Sequence, residues 1–412
     1  MMTRRGRART IGCFALALLV GAGATPGPVR AESAAPPLTP TKITDPTRQL
    51  ARFSEALARV KAGKAGAVVR IAQYGDSITS NDAITRRARE RLQTLFGDGG
   101  AGFVPAGLPS PSYRHHTVLR TGTGWKTRAI QFGGLADKRY GVGGASFEGS
   151  SGAQASFTTT KAGLGSKVSR YDVYYLAQPG AGKLEVTLDG KPHSVIDTAA
   201  PEIKSAFTAL EVPDGAHKLQ LRVTGGKVRL YGVVMERPGP GVTYDNFGLA
   251  SNSAKALGSI RPDHLREQHD HRGLDLIIIY LGANEADWYP PGDKSIAAYQ
   301  EVYGNTLAAL RAAAPRASCL VMSPTDAANF TEGKLISKAV IPGLVEAQRK
   351  AAAAKGCAFW DAFTWMGGKG SVRKWRLAGE WEPDLTHPNG AGAAKVADGL
   401  VDALLEAAGV SK

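Results

Sequence analysis

The sequence predicts an α/β fold, a parallel sheet flanked by helices, with a β-sandwich inserted into it. Before about residue 103 and after about residue 240, apolar strand-like runs alternate with stretches of helical periodicity. Between those points the helical period gives way to short alternating runs separated by Gly, Pro and Asp. The run Leu274-Asp275-Leu276-Ile277-Ile278-Ile279-Tyr280-Leu281 is nearly all apolar, as a strand buried on both faces of a parallel sheet should be.

Taken in order, residues 1–31 read as a cleavable secretory signal: Arg4, Arg5, Arg7 and Arg9, an apolar stretch over about 11–22, then small residues ending in Val29-Arg30-Ala31. That stretch is too short to span a bilayer, which takes roughly 20 residues. No later segment is apolar for long enough either, so no stable membrane insertion is expected after cleavage. Residues 32–45, rich in Pro, Ala, Ser and Thr, suit an exposed linker. The first part of the α/β domain, 46–103, holds a helix with Leu50, Phe53, Leu57 and Val60 at helical spacing, a strand ending at Tyr74, and an Arg-rich helix over about 81–96.

The insertion, 104–239, offers strands at 171–176, 183–188, 218–223 and 228–234, with Asp189-Gly190 as a hairpin turn. Its aromatics Trp125, Tyr140, Tyr174 and Tyr175 suit either sugar stacking or the core, at least half of them the core. The second part of the α/β domain, 240–412, continues with strands at 242–247 and 274–281. Helices follow at about 294–313, 332–354 and 390–407. Cys319 and Cys357 each open an apolar run, read as successive parallel strands. At one level of neighbouring strands they form a disulfide in an oxidising compartment, or remain two buried thiols.

The chemistry starts at Val68-Val69-Arg70-Ile71-Ala72-Gln73-Tyr74-Gly75-Asp76-Ser77-Ile78-Thr79, where a β-rich segment ends abruptly and sets a serine hydroxyl on a strand-to-helix turn. A serine is a weak nucleophile without a base in hydrogen-bond reach and donors facing the oxyanion it creates. Near the other end, Glu382-Pro383-Asp384-Leu385-Thr386-His387-Pro388 sets a carboxylate three residues before an imidazole. Asp384 can thus orient His387 while the other ring nitrogen faces Ser77. Gly248 and Asn284 each fall just beyond a strand, where doubly wound sheets gather ligand groups. Each by itself is equally an ordinary turn glycine or helix cap.

As a set these blocks resemble the SGNH (GDSL-type) hydrolase superfamily: Gly75-Asp76-Ser77-Ile78-Thr79, Phe247-Gly248-Leu249-Ala250-Ser251-Asn252, Gly282-Ala283-Asn284-Glu285 and Asp384-Leu385-Thr386-His387, in that chain order. Many relatives continue the second block with Asn-Gly-Ala where this chain has Leu249-Ala250-Ser251. The resemblance implies a flavodoxin-like three-layer domain. It makes Ser77 the nucleophile, His387 the base and then acid, and Asp384 its orienting partner. The Ser77 amide, the Gly248 amide and the Asn284 side chain would form the oxyanion hole. The insertion, with Trp365-Met366-Gly367-Gly368-Lys369-Gly370-Ser371 and Trp375, resembles the peptidoglycan O-acetylesterase type, which carries a carbohydrate-binding-like β-module between the serine and glycine blocks.

The resulting expectation is an exported serine esterase that removes O-acetyl groups from a cell-envelope polysaccharide. An O-acetyltransferase, an acetylxylan or exopolysaccharide esterase, and an inactive carbohydrate-binding protein are the alternatives. The formal charge of +15 falls to +10 once the five arginines of residues 1–31 are gone. That excess suits anionic surroundings such as wall polymers, or serves solubility alone. No run of clustered Lys and Arg interleaved with aromatics points to nucleic acid. Asp326, after another strand, reads as a cap or loop ligand rather than a rival acid. His264, His269 and His271 match no strong metal-ligand spacing and read as an exposed helix end. A monomer with no organic cofactor and no metal is expected.

Overall fold

The computed structural model describes residues 38–410; the expected signal segment lies outside them. Residues 38–45, the described part of the expected linker, are exposed or half-exposed and run beside the sheet. Thr44 forms an antiparallel bridge with Phe359, the Thr39 amide donates to the Trp365 carbonyl at 2.8 Å, and Ile43 packs on the core. A sheet edge carries unpaired backbone groups that a passing segment can satisfy. Helix α1 (Ala51–Lys61) buries Phe53, Ala56, Leu57 and Val60. Strand β1 (Val68–Gly75) then leads into the single turn α2 (Ser77–Ser80) and helix α3 (Ala83–Phe96).

The insertion supplies β2 (Gly102–Pro105), β3 (Val118–Ala129), β4 (Ala145–Thr159), β5 (Val168–Ala177), β6 (Lys183–Leu188), β7 (Lys191–Asp197), β8 (Lys204–Gly215), β9 (Lys218–Thr224) and β10 (Lys227–Glu236). They form one hydrogen-bonded sheet, ordered β7-β6-β9-β4-β10-β5-β8, with β2 on β10 and β3 on β4. The long β4 belongs to two leaves, because its first half pairs with β10 and its second half with β9. Val173, Tyr175 and Leu230 from one leaf share a core with Leu184, Leu219 and Leu221 from the other. The opposite face of β5 and β10 sends Tyr174, Leu176, Tyr231 and Val234 into the core of the α/β domain. The β-module is therefore packed onto the hydrolase-like part by its own side chains.

The chain returns through β11 (Gly241–Gly248), α4 (Ala254–Leu257), α5 (Pro262–Arg272), β12 (Leu276–Tyr280), α6 (Glu285–Trp288), α7 (Asp293–Ala313) and β13 (Ser318–Met322). It ends through a hairpin of β14 (Ala328–Thr331) and β15 (Lys334–Ser337), then α8 (Ile341–Ala354), β16 (Ala358–Trp360), α9 (Ala362–Trp365), α10 (Ser371–Leu377) and α11 (Gly390–Ala407). The main sheet is wholly parallel, ordered β11-β1-β12-β13-β16. Counted along the chain this is 2-1-3-4-5, the flavodoxin-like doubly wound order. Successive residues of each strand feed opposite layers: Ile277, Ile279 and Val321 into one core, Ile278, Tyr280 and Leu320 into the other. Among the described residues no helix is long and apolar enough to cross a membrane.

Two expectations need correction here. The helix expected over 332–354 begins only at Ile341, after Glu332 and Gly333 make the β14–β15 turn with positive φ of 51° and 75°. Two such residues in succession are what a tight hairpin turn takes. Two of the three α5 histidines are not at an exposed helix end: His264 and His269 are 1% and 3% exposed, whereas His271 is exposed as expected. His264 meets Ser205 Oγ at 3.0 Å and Tyr231 Oη at 2.9 Å, His269 meets Tyr74 Oη at 2.8 Å, and His271 meets Asp172 at 2.7 Å. Each ring is thus committed to a different partner, and burial pushes His269 down to about 3.

Candidate active site

The carboxyl end of β1 is shaped by what it must fit. A Cβ on Gly75 would lie 2.1 Å from Thr79 Oγ1, so a side chain there would break the turn that follows. Asp76 caps α2, its carboxylate accepting the Ile78 amide at 3.0 Å, and Ser77 is the first helical residue. Gly248, at the end of the neighbouring β11, presses on the same turn: its Cβ would fall 2.4 Å from the Ser80 nitrogen. Gly75 and Gly248 are direct partners in the sheet, so two strands without side chains at their ends let the turn sit between them.

The imidazole comes from a tight loop before α11. The Leu385 amide donates to the Glu382 carbonyl at 3.1 Å and the Glu382 amide to the His387 carbonyl at 2.8 Å. Leu385 takes a left-handed φ of 59° with its side chain buried, and its carbonyl accepts the Ala328 amide of β14. Asp384 Oδ1 accepts the amides of Thr386 and His387, both at 2.9 Å, leaving Oδ2 at 2.7 Å from His387 Nδ1. With Nδ1–H donating there, Nε2 is the acceptor, and Ser77 Oγ lies 2.7 Å from it. The structure thus joins Ser77, His387 and Asp384 in one hydrogen-bonded line.

Burial by itself would raise the Asp384 carboxyl. The amides of His387 and Thr386 and the His387 ring together outweigh burial and hold it below its usual range. Asp76 and Glu285 behave in the opposite way. Burial pushes Asp76 up to about 6 against the pull of the Ile78 amide and His387, and pushes Glu285 up to about 7.

The expected oxyanion donors are less evenly disposed. Asn284 Nδ2 donates one hydrogen to the Asn252 carbonyl at 2.9 Å, and its second meets no partner among the described residues. Asn252, fully buried, in turn donates to the Gly75 carbonyl at 3.1 Å, beside the Leu249 amide on that same oxygen. The Gly248 amide is already engaged, donating to Asn246 Oδ1 at 2.9 Å. Asn246 and Asn252 were not singled out from the sequence. The signal for them was their place at and just past the end of β11, where a doubly wound sheet collects polar groups.

The remaining candidates are structural. Asp326 accepts the amides of Gly370 and Val372 at 2.9 and 3.1 Å, fastening α10. Tyr140, Tyr174 and Tyr175 are buried, while Trp125 is half covered with its indole N–H donating to the Gln154 carbonyl. Cys319 on β13 and Cys357, just before β16, are bonded to each other, next to where Leu320 pairs with Ala358. Among the described residues no three His, Cys, Asp or Glu side chains converge as metal ligands would.

A serine joined to an imidazole and a carboxylate, at the carboxyl edge of a 2-1-3-4-5 sheet, is the equipment of a carboxylic ester hydrolase. Residues 223–395 match the model of the GDSL-like lipase/acylhydrolase family, a span that holds Gly248, Asn284, Asp384 and His387 while Ser77 precedes it. The α/β part of the chain has the SGNH (GDSL-like) hydrolase fold. A peptidoglycan O-acetylesterase structure is similar over 89% of this chain and 99% of its own, at 24% identity and a TM-score of 0.74, which shows the shared fold. A family two carbohydrate esterase from Cellvibrio japonicus (12% identity; 71% of this chain, 98% of its own) has a TM-score of 0.30. An acetylxylan esterase from Geobacillus stearothermophilus (20% identity; 42% and 74%) has the same score. No curated protein matches the chain.

Proposed function

We propose that this chain is an exported serine esterase that removes O-acetyl groups from a cell-envelope polysaccharide, with peptidoglycan as the first candidate. The observation that carries the reading is the unbroken contact from Ser77 through His387 to Asp384, 2.7 Å at each step. His387 Nε2 takes the Ser77 proton as Oγ attacks the acetyl carbonyl, and the negative oxygen faces the Ser77 amide and Asn284. The intermediate collapses as His387 returns the proton to the departing sugar oxygen, leaving acetyl-Ser77. Water, deprotonated by His387, then attacks the acetyl carbon, and His387 passes that proton to Ser77 Oγ as acetate leaves. The likeness to a peptidoglycan O-acetylesterase over nearly the whole of both chains supports that choice of polymer. The signal-like residues 1–31 and the basic mature chain support export to an anionic wall. The working partner is then the acetylated polysaccharide, met by a monomer without cofactor.

The test is acetate released by the mature protein from O-acetylated peptidoglycan and from acetylated xylan, beside Ser77→Ala. Release from peptidoglycan that Ser77→Ala abolishes is the expected result. Release from xylan only would move the substrate, and transfer of acetyl to an added oligosaccharide in place of release would make the protein an acetyltransferase.

A further inference from the structure

Of the six tryptophans, Trp360, Trp365, Trp375 and Trp381 are buried in one core and Trp125 is half covered, whereas Trp288 leaves 55% of its surface exposed. Its place gives that exposure meaning. Asn284 already has helical backbone angles, φ −72° and ψ −40°, and Trp288 follows four residues later at the end of α6. Residues i and i+4 lie on one face of a helical turn, with their Cβ atoms about 6 Å apart. The indole therefore stands one turn outward from the carboxamide that serves the reacting carbonyl.

The turn that displays the ring is held on several sides. The Tyr289 amide donates to the Glu285 carbonyl at 2.9 Å, and the Tyr289 ring meets the buried Tyr299 edge-on at 5.2 Å between centroids. Asp287 pairs at 2.6 Å with Lys338, whose side chain is only 5% exposed although it follows the β14–β15 hairpin. Pro290 and Pro291 then stiffen the exit from the turn. A large apolar ring kept in water on a fixed backbone loses little conformational freedom when something covers it, which is what a preorganised contact requires.

We propose that Trp288 is a stacking platform for a pyranose ring of the acetylated polysaccharide, at or next to the sugar whose acetyl group Ser77 attacks. This rests on the esterase reading above. The C–H face of a pyranose is apolar while its rim is polar, so an exposed flat indole covers one without desolvating the other. A small aryl ester reaches Ser77 without touching the platform, whereas a polymer gains affinity and direction from it.

Kinetics with 4-nitrophenyl acetate and with soluble fragments of O-acetylated peptidoglycan, for the wild type, Trp288→Ala and Trp288→Phe, test the proposal. Turnover of the aryl ester should stay within about twofold for all three. For the glycan, Trp288→Ala should raise KM about tenfold with kcat nearly unchanged, the scale of one lost stacking contact, and Trp288→Phe should recover most of it. An equal loss on both substrates would make the ring a support of α6, and an unchanged glycan KM would remove its role; either overturns the proposal. If the wild type hydrolyses the aryl ester but not the glycan, the esterase reading fails on its own account. Calorimetric titration of the same fragments into Ser77→Ala and Ser77→Ala/Trp288→Ala then decides: about tenfold weaker binding in the double variant supports the platform, and equal or absent binding overturns it.

Discussion

The Gly248 amide donates to Asn246 Oδ1 at 2.9 Å, so one of the three donors expected for the oxyanion is occupied at rest by a side chain of its own strand. The nitrogen of the same carboxamide lies 3.3 Å from the Arg114 carbonyl, which anchors Asn246 to the loop before β3. On the proposed mechanism, the Gly248 N–H must then be shared with, or handed to, the oxygen that turns negative when Ser77 attacks. Until that moment the hole depends on the Ser77 amide and on the uncommitted hydrogen of Asn284.

Asn284→Ala should accordingly lower kcat for 4-nitrophenyl acetate about 10²- to 10³-fold, the usual cost of one oxyanion donor. KM should move only a few-fold, because the donor serves the transition state more than the bound ester. A fall of less than tenfold in steady-state kinetics would mean that Gly248 and Ser77 carry the charge between them.

Gly248→Ala sets backbone against backbone. The new Cβ would fall 2.4 Å from the Ser80 nitrogen and 2.6 Å from the Thr79 carbonyl carbon, and neither can rotate away. The turn bearing Ser77 must shift, and about 1 Å of misplacement costs about 10²-fold in rate. The expected result is a loss of at least about a hundredfold in kcat/KM together with a lower Tm. Activity within tenfold of wild type in a folded variant would show that the turn can yield without moving Oγ.

Much of this site could be read from the sequence because its parts are local. Gly75-Asp76-Ser77 sits at the end of one apolar run, and Asp384 and His387 share one turn of chain, so spacing carries their relationship. The inner strands β12 and β13 announce themselves as short apolar runs because both of their faces are covered. The histidines of α5 could not be read that way, since Ser205, Tyr231 and Asp172, which receive two of them, belong to the β-module packed against that helix. The hairpin at 328–337 was hidden for another reason. Its strands are only 4 residues each, and Glu332-Gly333 interrupts a run that otherwise continues smoothly into α8. The engagement of Gly248 with Asn246 depends on the setting of a single side chain, which no residue pattern encodes.

The Cys319–Cys357 bond closes a loop spanning 38 positions between neighbouring strands. A cross-link of that length is worth roughly 3 to 4 kcal/mol when it acts by restricting the unfolded chain. Cys319→Ala/Cys357→Ala should lose stability of that order in urea denaturation. Both cysteines sit at the amino ends of their strands, opposite the edge that carries Ser77, so activity on an aryl ester should stay within about twofold. Unchanged stability would mean that the reduced, unfolded chain is already restricted in that region.

Glu285 follows Asn284 directly and is 2% exposed; Oε1 accepts the Ala254 amide at 2.9 Å, while Oε2 has no hydrogen-bond partner among the described residues. Burial, with a smaller push from the charge of Asp76, raises its carboxyl from 4.5 to about 7. The folded state therefore holds this proton more tightly than the unfolded chain does. Stability from this group is greatest below about pH 4.5 and declines as pH rises through 7, above which a buried charge costs about 3 kcal/mol. Glu285→Gln keeps the shape and the acceptor for Ala254 but never carries the charge. It should lie within about 1 kcal/mol of the wild type in urea denaturation at pH 5 and exceed its stability by up to about 3 kcal/mol at pH 8. The same difference at both pH values would show that the substitution acts through packing, and that Glu285 is already ionised or already neutral across the whole range.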